Sequence, residues 1–156
     1  MTITTEAILD AFATVGLRNT RPRRLIAHRL AELAARGDDF ATDDLWQELL
    51  RMNPRLGRAT VFRAVDVLVE QGILDRVTFA DGTHHYRVCT PGGHHHHVVC
   101  SVCRRVVEID ACLTPELLAA IERSTDFILE GHSVELFGRC ADCQQAALAR
   151  PGPGGN

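Results

Sequence analysis

Apolar side chains return every three to four residues over residues 6–15, the period of a helix with one buried face, and Gly16 stops the run. A second such stretch begins after Thr20, carries Pro22 in its first turn and continues to about Ala35, ahead of Gly37. Thr42 is placed to cap a third helix. Asp43 and Asp44 then lie at the positive end of its dipole, and Asn53-Pro54 closes it. The fourth helix spans about residues 58–71, with Val61, Val65, Leu68 and Val69 as its core stripe and Gly72 as its stop. The period then falls to two. Residues 73–79 and 83–88 alternate as strands do, with Asp81-Gly82 between them as a tight-turn signal.

Helices followed by a hairpin are the order of a winged helix-turn-helix, with residues 42–71 as its two central helices. After Pro91-Gly92-Gly93 the pattern becomes short and strand-rich: residues 98–100, 106–109 and a stretch around 133–137 are strand-like, and residues 114–125 form one helix. The chain is therefore α+β: a winged helix-turn-helix domain over 1–90, a hinge at 91–93, a small mixed α/β domain over 94–148, and a Pro- and Gly-rich disordered tail over 149–156. The second domain has a thin core and needs a metal, a partner chain, or both.

Composition narrows the class. Apolar residues are 46% and charged residues 24%, enough for a core and too ordinary for global disorder. The longest apolar run, 117–121, excludes a membrane span, and the first residues carry no export signal, so the expected location is cytoplasmic. The net charge of −3 conceals two acid-free clusters, one of Arg18, Arg21, Arg23 and Arg24 and one of Arg51, Arg55, Arg58 and Arg63. In a winged helix the second cluster lies on or near the helix that enters the major groove, and the first flanks it on phosphate. The alternative is a solvated helical surface.

Eight His and six Cys bring in metal chemistry. Cys100-Ser-Val-Cys103 and Cys140-Ala-Asp-Cys143 are two thiolate pairs that together complete a tetrahedral, closed, structural Zn2+ site; disulfides or free core cysteines are the alternative. His94 to His97 run into a strand, where His95 and His97 face one way and His94 and His96 the other. Asp75, Cys89, His95 and His97 would make a mixed S, N2, O set across the two domains, suited to Zn2+. A solvated Asp75 and an apolar filler role for Cys89 remain open. For His94 and His96 the distant candidates are His132 and Glu116.

Ala59-Thr-Val-Phe-Arg63, Gln71-Gly-Ile-Leu74, the segment from His94 to Cys103 and Cys140-Ala-Asp-Cys143 occur in an order that resembles the ferric uptake regulator superfamily, over about residues 5–145. The resemblance is strongest to its zinc uptake regulators. It implies a homodimer joined through the second domain, a palindromic AT-rich double-stranded DNA operator, and a repressor of zinc uptake genes that binds DNA when Zn2+ fills the sensor set Asp75, Cys89, His95 and His97. It also implies two or three Zn2+ per subunit, no enzymatic activity and no membrane partner. The DNA contacts would be Arg18, Arg23, Arg58, Thr60, Phe62 and Arg63, with Phe62 where relatives commonly carry Tyr. Asp39 stands where iron and peroxide sensors usually place a His, which argues against the iron- or peroxide-responsive alternative. A third set matches His94, His96 and His132; its acid falls near Pro115, so Glu116 fits only with a shift of one residue, and Cys112 has no role in the pattern. A zinc hydrolase or deaminase, or a zinc buffer without DNA contact, are the readings from other classes.

Overall fold

A computed structural model describes residues 3–89 and 96–149. The expected hinge, His94, His95 and residues 150–156 lie outside the described residues. The described chain falls into two compact units, one of residues up to Thr78 with Thr83 to Cys89, the other of Phe79–Gly82 with the residues from His96 onward. The tip of the hairpin thus groups with the second unit, whereas the sequence places the whole hairpin in the first. The Arg104 guanidinium explains this, because it pairs with Asp81 and lies 5.1 Å over the Phe79 ring.

The first unit is helical with a small sheet. Helix α1 (Thr5–Thr14) is capped by the Thr4 hydroxyl, which accepts from the Ala7 N–H, and α2 (Arg21–Arg36) ends at Gly37 in the left-handed conformation. Strand β1 (Asp39–Phe40) leads into α3 (Thr42–Met52) and α4 (Arg58–Glu70). Ala41 is the cap residue of α3. Thr42, expected in that role, is the first helical residue, and it is buried. Strands β2 (Leu74–Thr78) and β3 (His84–Val88) pair antiparallel from Leu74 opposite Val88 to Thr78 opposite His84, and β1 adds to the far edge of β3. The β2–β3 connection is longer than a two-residue turn: the Gly82 N–H closes a turn on the Phe79 carbonyl, and Gly82 takes a positive φ before Thr83.

One core joins these elements. Ile8, Phe12, Ile26, Leu30, Leu45, Leu49, Val61, Val65 and Leu68 are all essentially inaccessible, so each helix gives its apolar stripe to a common interior. Each such side chain contributes about 1.5–3 kcal/mol on removal from water.

The second unit contains β4 (His96–Cys100), β5 (Val106–Ile109), α5 (Pro115–Thr125), β6 (Glu135–Gly138) and α6 (Ala141–Leu148). Its sheet has the order β5-β4-β6, antiparallel on one side and parallel on the other. The parallel pair needs a crossover, and α5 lies in it. Neither α5 nor α6 buries a residue fully, and Phe127, Ile128, Phe137 and Leu148 stand exposed. No helix among the described residues is long and apolar enough to cross a membrane. The architecture is α+β, a winged helix-turn-helix followed by a small mixed unit.

Candidate functional site

Beyond Cys100 the chain doubles back: the Cys100 N–H donates to the Arg105 carbonyl, the Arg104 N–H donates to the Cys100 carbonyl, and Arg104 adopts a left-handed conformation. Cys100 and Cys103 therefore bracket a tight knuckle at the end of β4. The parallel register sets Gly138 opposite Cys100, and the Ser101 N–H donates to the Gly138 carbonyl at 2.8 Å. Cys140 then caps α6, with Cys143 in its first turn.

All four sulfurs lie within 4.8 Å of one another, and Cys103 Sγ is 3.7 Å from Cys140 Sγ. A tetrahedron with Zn–S bonds of about 2.3 Å has edges of about 3.8 Å. The donors thus fit a zinc-class ion, and no disulfide joins them. Backbone N–H groups of Cys103, Cys140 and Val102 around the Cys100 sulfur draw its thiol down to about 6. The Cys140 sulfur pushes the Cys143 thiol up to about 12. Four sulfurs so close cannot all ionise without a cation among them.

Of the set expected from Asp75, Cys89, His95 and His97, three members are described. Asp75 projects from β2 and Cys89 follows β3, so the hairpin register brings them together: the Cys89 thiol donates to Asp75 Oδ2 at 3.1 Å, and the Cys89 N–H donates to the Ile73 carbonyl. Cys89 is buried. Within the second unit His97 is also buried, with Glu108 of β5 and Glu135 of β6 as its paired neighbours. His95, the remaining member, lies outside the described residues. Asp39 is engaged by His85 at 2.5 Å across the β1–β3 pair.

Around His96 and His132 the structure departs from the sequence-based set. The residue whose ligand atom joins theirs within 4.8 Å is Cys112, expected to be a bystander. Glu116, on the exposed first turn of α5, is not in that group, because the loop between β5 and α5 carries Cys112 to His132 instead. His94 lies outside the described residues.

On the helical face Arg23, Thr60 and Arg63 line one depression with Leu17, Asp66 and Val67. Arg18 is exposed, and its carbonyl accepts from Arg23 Nη1 at 2.8 Å. Arg58 does not present an unopposed charge as the acid-free cluster implied. Asp43, from the start of α3, receives two hydrogen bonds from it at 2.7 and 2.9 Å, and the guanidinium lies 4.2 Å over the half-buried Phe62 ring. Arg58 in turn holds the Asp43 carboxyl below the usual carboxylate range. Sequence reasoning treated Asp43 only as a dipole partner. The packing of α3 against α4 supplies its second role.

Residues 14–137 match the model of the ferric uptake regulator family. A zinc uptake regulation protein of Mycobacterium tuberculosis is 32% identical over 133 residues, 85% of this chain and 98% of its own length. A ferric uptake regulation protein of Bordetella parapertussis is 29% identical over 131 residues, covering 84% and 92% of the two chains. The solved structure of a zinc uptake regulator complexed with zinc and DNA has the same fold, with a TM-score of 0.69 over 94% of this chain and 99% of that one at 24% identity. The fold, the paired cysteines and these relatives agree: the chain belongs to the ferric uptake regulator family, whose members are metal-responsive transcriptional regulators and not enzymes.

Proposed function

We propose that the protein is a homodimeric, zinc-responsive repressor of zinc uptake genes, in which Zn2+ at Asp75, Cys89, His95 and His97 favours the arrangement that binds a palindromic AT-rich operator. The observation that carries this is the Cys89–Asp75 pair, a buried thiol and a carboxylate 3.1 Å apart where the hairpin ends. The two imidazoles that would complete the set come from the far side of the linker, so one ion would couple the two units. Zn2+ must bind the DNA-competent arrangement better than the open one, since only differential affinity shifts a population.

Ferric relatives match nearly as well, so the choice of metal rests on the donors. Thiolate with imidazole suits zinc better than iron. Asp39, where an iron sensor usually has an imidazole, is held by His85. The four-cysteine cluster serves as the structural Zn2+ site. Arg23, Thr60 and Arg63, with Arg18, Arg58 and Phe62 beside them, form the DNA face, and a second copy covers the apolar residues of the second unit.

The test is titration of the metal-depleted protein, its four-cysteine site still loaded, with Zn2+ or Fe2+ while following a palindromic AT-rich duplex by gel shift. Zn2+ restores binding and Cys89→Ser abolishes the response without dissolving the dimer. A normal zinc response in that variant refutes the sensor assignment. Salt-insensitive binding would mean that the duplex is not held through its phosphates.

A further inference from the structure

We propose that Cys112 is a metal ligand, its thiolate joining His96 and His132 in a two-nitrogen, one-sulfur site for a thiophilic divalent cation of the zinc class. The site lies within the second unit and uses none of the four clustered cysteines. The inference does not depend on which ion governs DNA binding.

Three separate pieces of chain converge there. His96 opens β4 and is buried, His132 precedes β6, and Cys112 lies between β5 and α5. One ligand atom from each falls within a common span of 4.8 Å. Cys112 Sγ is 3.0 Å from His132 Nε2, and the two imidazole rings are 5.1 Å apart between centroids, tilted by 33°. With a Zn–S bond of about 2.3 Å and a Zn–N bond of about 2.05 Å, a tetrahedral ion holds sulfur and nitrogen about 3.6 Å apart. The thiol and imidazole, now at hydrogen-bonding distance, need to separate by only about half an ångström to admit it.

The backbone beyond His132 already meets the His96 ring. The Val134 N–H donates to its Nδ1 at 3.3 Å, a long bond. An ion bound through either ring nitrogen displaces this bond: it takes Nδ1 itself, or it takes Nε2 and leaves the ring proton on Nδ1. The donor set then decides the class of cation. A thiolate with two imidazoles discriminates against Mg2+, Ca2+ and Mn2+, which prefer oxygen. Three protein ligands leave a fourth position for water. That open position lets the ion exchange with solvent more readily than one closed in by four thiolates.

The test uses the full chain with its four-cysteine site loaded. Iodoacetamide alkylation is followed at Cys112 and Cys89 by peptide-resolved mass spectrometry, with and without saturating Zn2+. Zn2+ slows alkylation of Cys112 by about tenfold or more, Mg2+ does not, and His132→Gln removes the protection; Cys112→Ser lowers Zn2+ affinity at this site by at least about tenfold, and titration calorimetry reads it. Equal alkylation of Cys112 with and without Zn2+ overturns the proposal, whatever Cys89 does. Unchanged Zn2+ affinity in Cys112→Ser, or equal protection by Mg2+, overturns it too. Protection at Cys112 with none at Cys89 supports this site and counts against the sensor set, so the two assignments fail separately.

Discussion

The two units solve the problem of stability differently. The first buries apolar stripes from all four of its helices in one interior, from Ile8 and Phe12 through Leu30 and Leu49 to Leu68. The second has two helices with no fully buried residue, and its sheet interior is a short run in which His96 and His97 stand beside Val99 and Cys100. Where hydrophobic area is scarce, ligand bonds and a partner surface replace it. On the proposed assignment, stability of the first unit is set by its own sequence, while that of the second would be tied to metal supply and protein concentration.

The sharpest way to break this contrast is to remove a thiolate. Cys100→Ser removes one of the four donors from a site of the kind whose metal-binding free energy is about 10–16 kcal/mol. Limited proteolysis should then digest the segment beyond residue 96 while the helical part survives. Equal resistance of both would show that the second unit does not depend on the ion. The reciprocal change is Leu30→Ala, expected to cost about 2–5 kcal/mol by urea unfolding of the first unit, with zinc content at the four cysteines unaltered.

A third change addresses the exposed apolar residues. Phe137→Asp should move the protein from dimer toward monomer in sedimentation, because a charge in an apolar contact leaves that charge buried without a partner; an unshifted dimer places the contact elsewhere. The smaller effects fall on the helical face. Arg63→Ala should weaken operator binding by about 1–3 kcal/mol. Asp43→Asn frees Arg58 and should steepen the salt dependence of binding by about one phosphate contact. Because Arg58 lowers the Asp43 pKa, the ion pair is fully formed at and above the usual carboxylate range. It is lost only as pH falls through the lowered value, so the difference between Asp43→Asn and the parent disappears in acid.

Much of this was legible in the sequence because it is local. The cap and stop of α2 fall at Thr20 and Gly37, α4 is capped at Gln71, one residue ahead of a left-handed Gly72, and both Cys-x2-Cys pairs are drawn together by the structure. What escaped depends on distant partners. Strand β1 is two residues long, too short for any alternation, and exists because Arg87 and Tyr86 of β3 accept it. Helix α6 has a weak apolar face, and the α3 cap shifted by one residue onto Ala41. Cys112 meets His132 across 20 residues, and Asp43 meets Arg58 across 15, separations at which no periodicity carries information.

The parallel pairing of β4 with β6 imposes an order in time. Cys103 and Cys140 are 37 positions apart, so at a synthesis rate of about 5–20 residues per second the first thiol pair leaves the ribosome about 2–7 s before the second. Throughout that interval the nascent chain displays an open dithiol hairpin that can grip an ion but not enclose it. Oxidants and soft cations therefore have their best access to Cys100 and Cys103 during translation, before β6 docks.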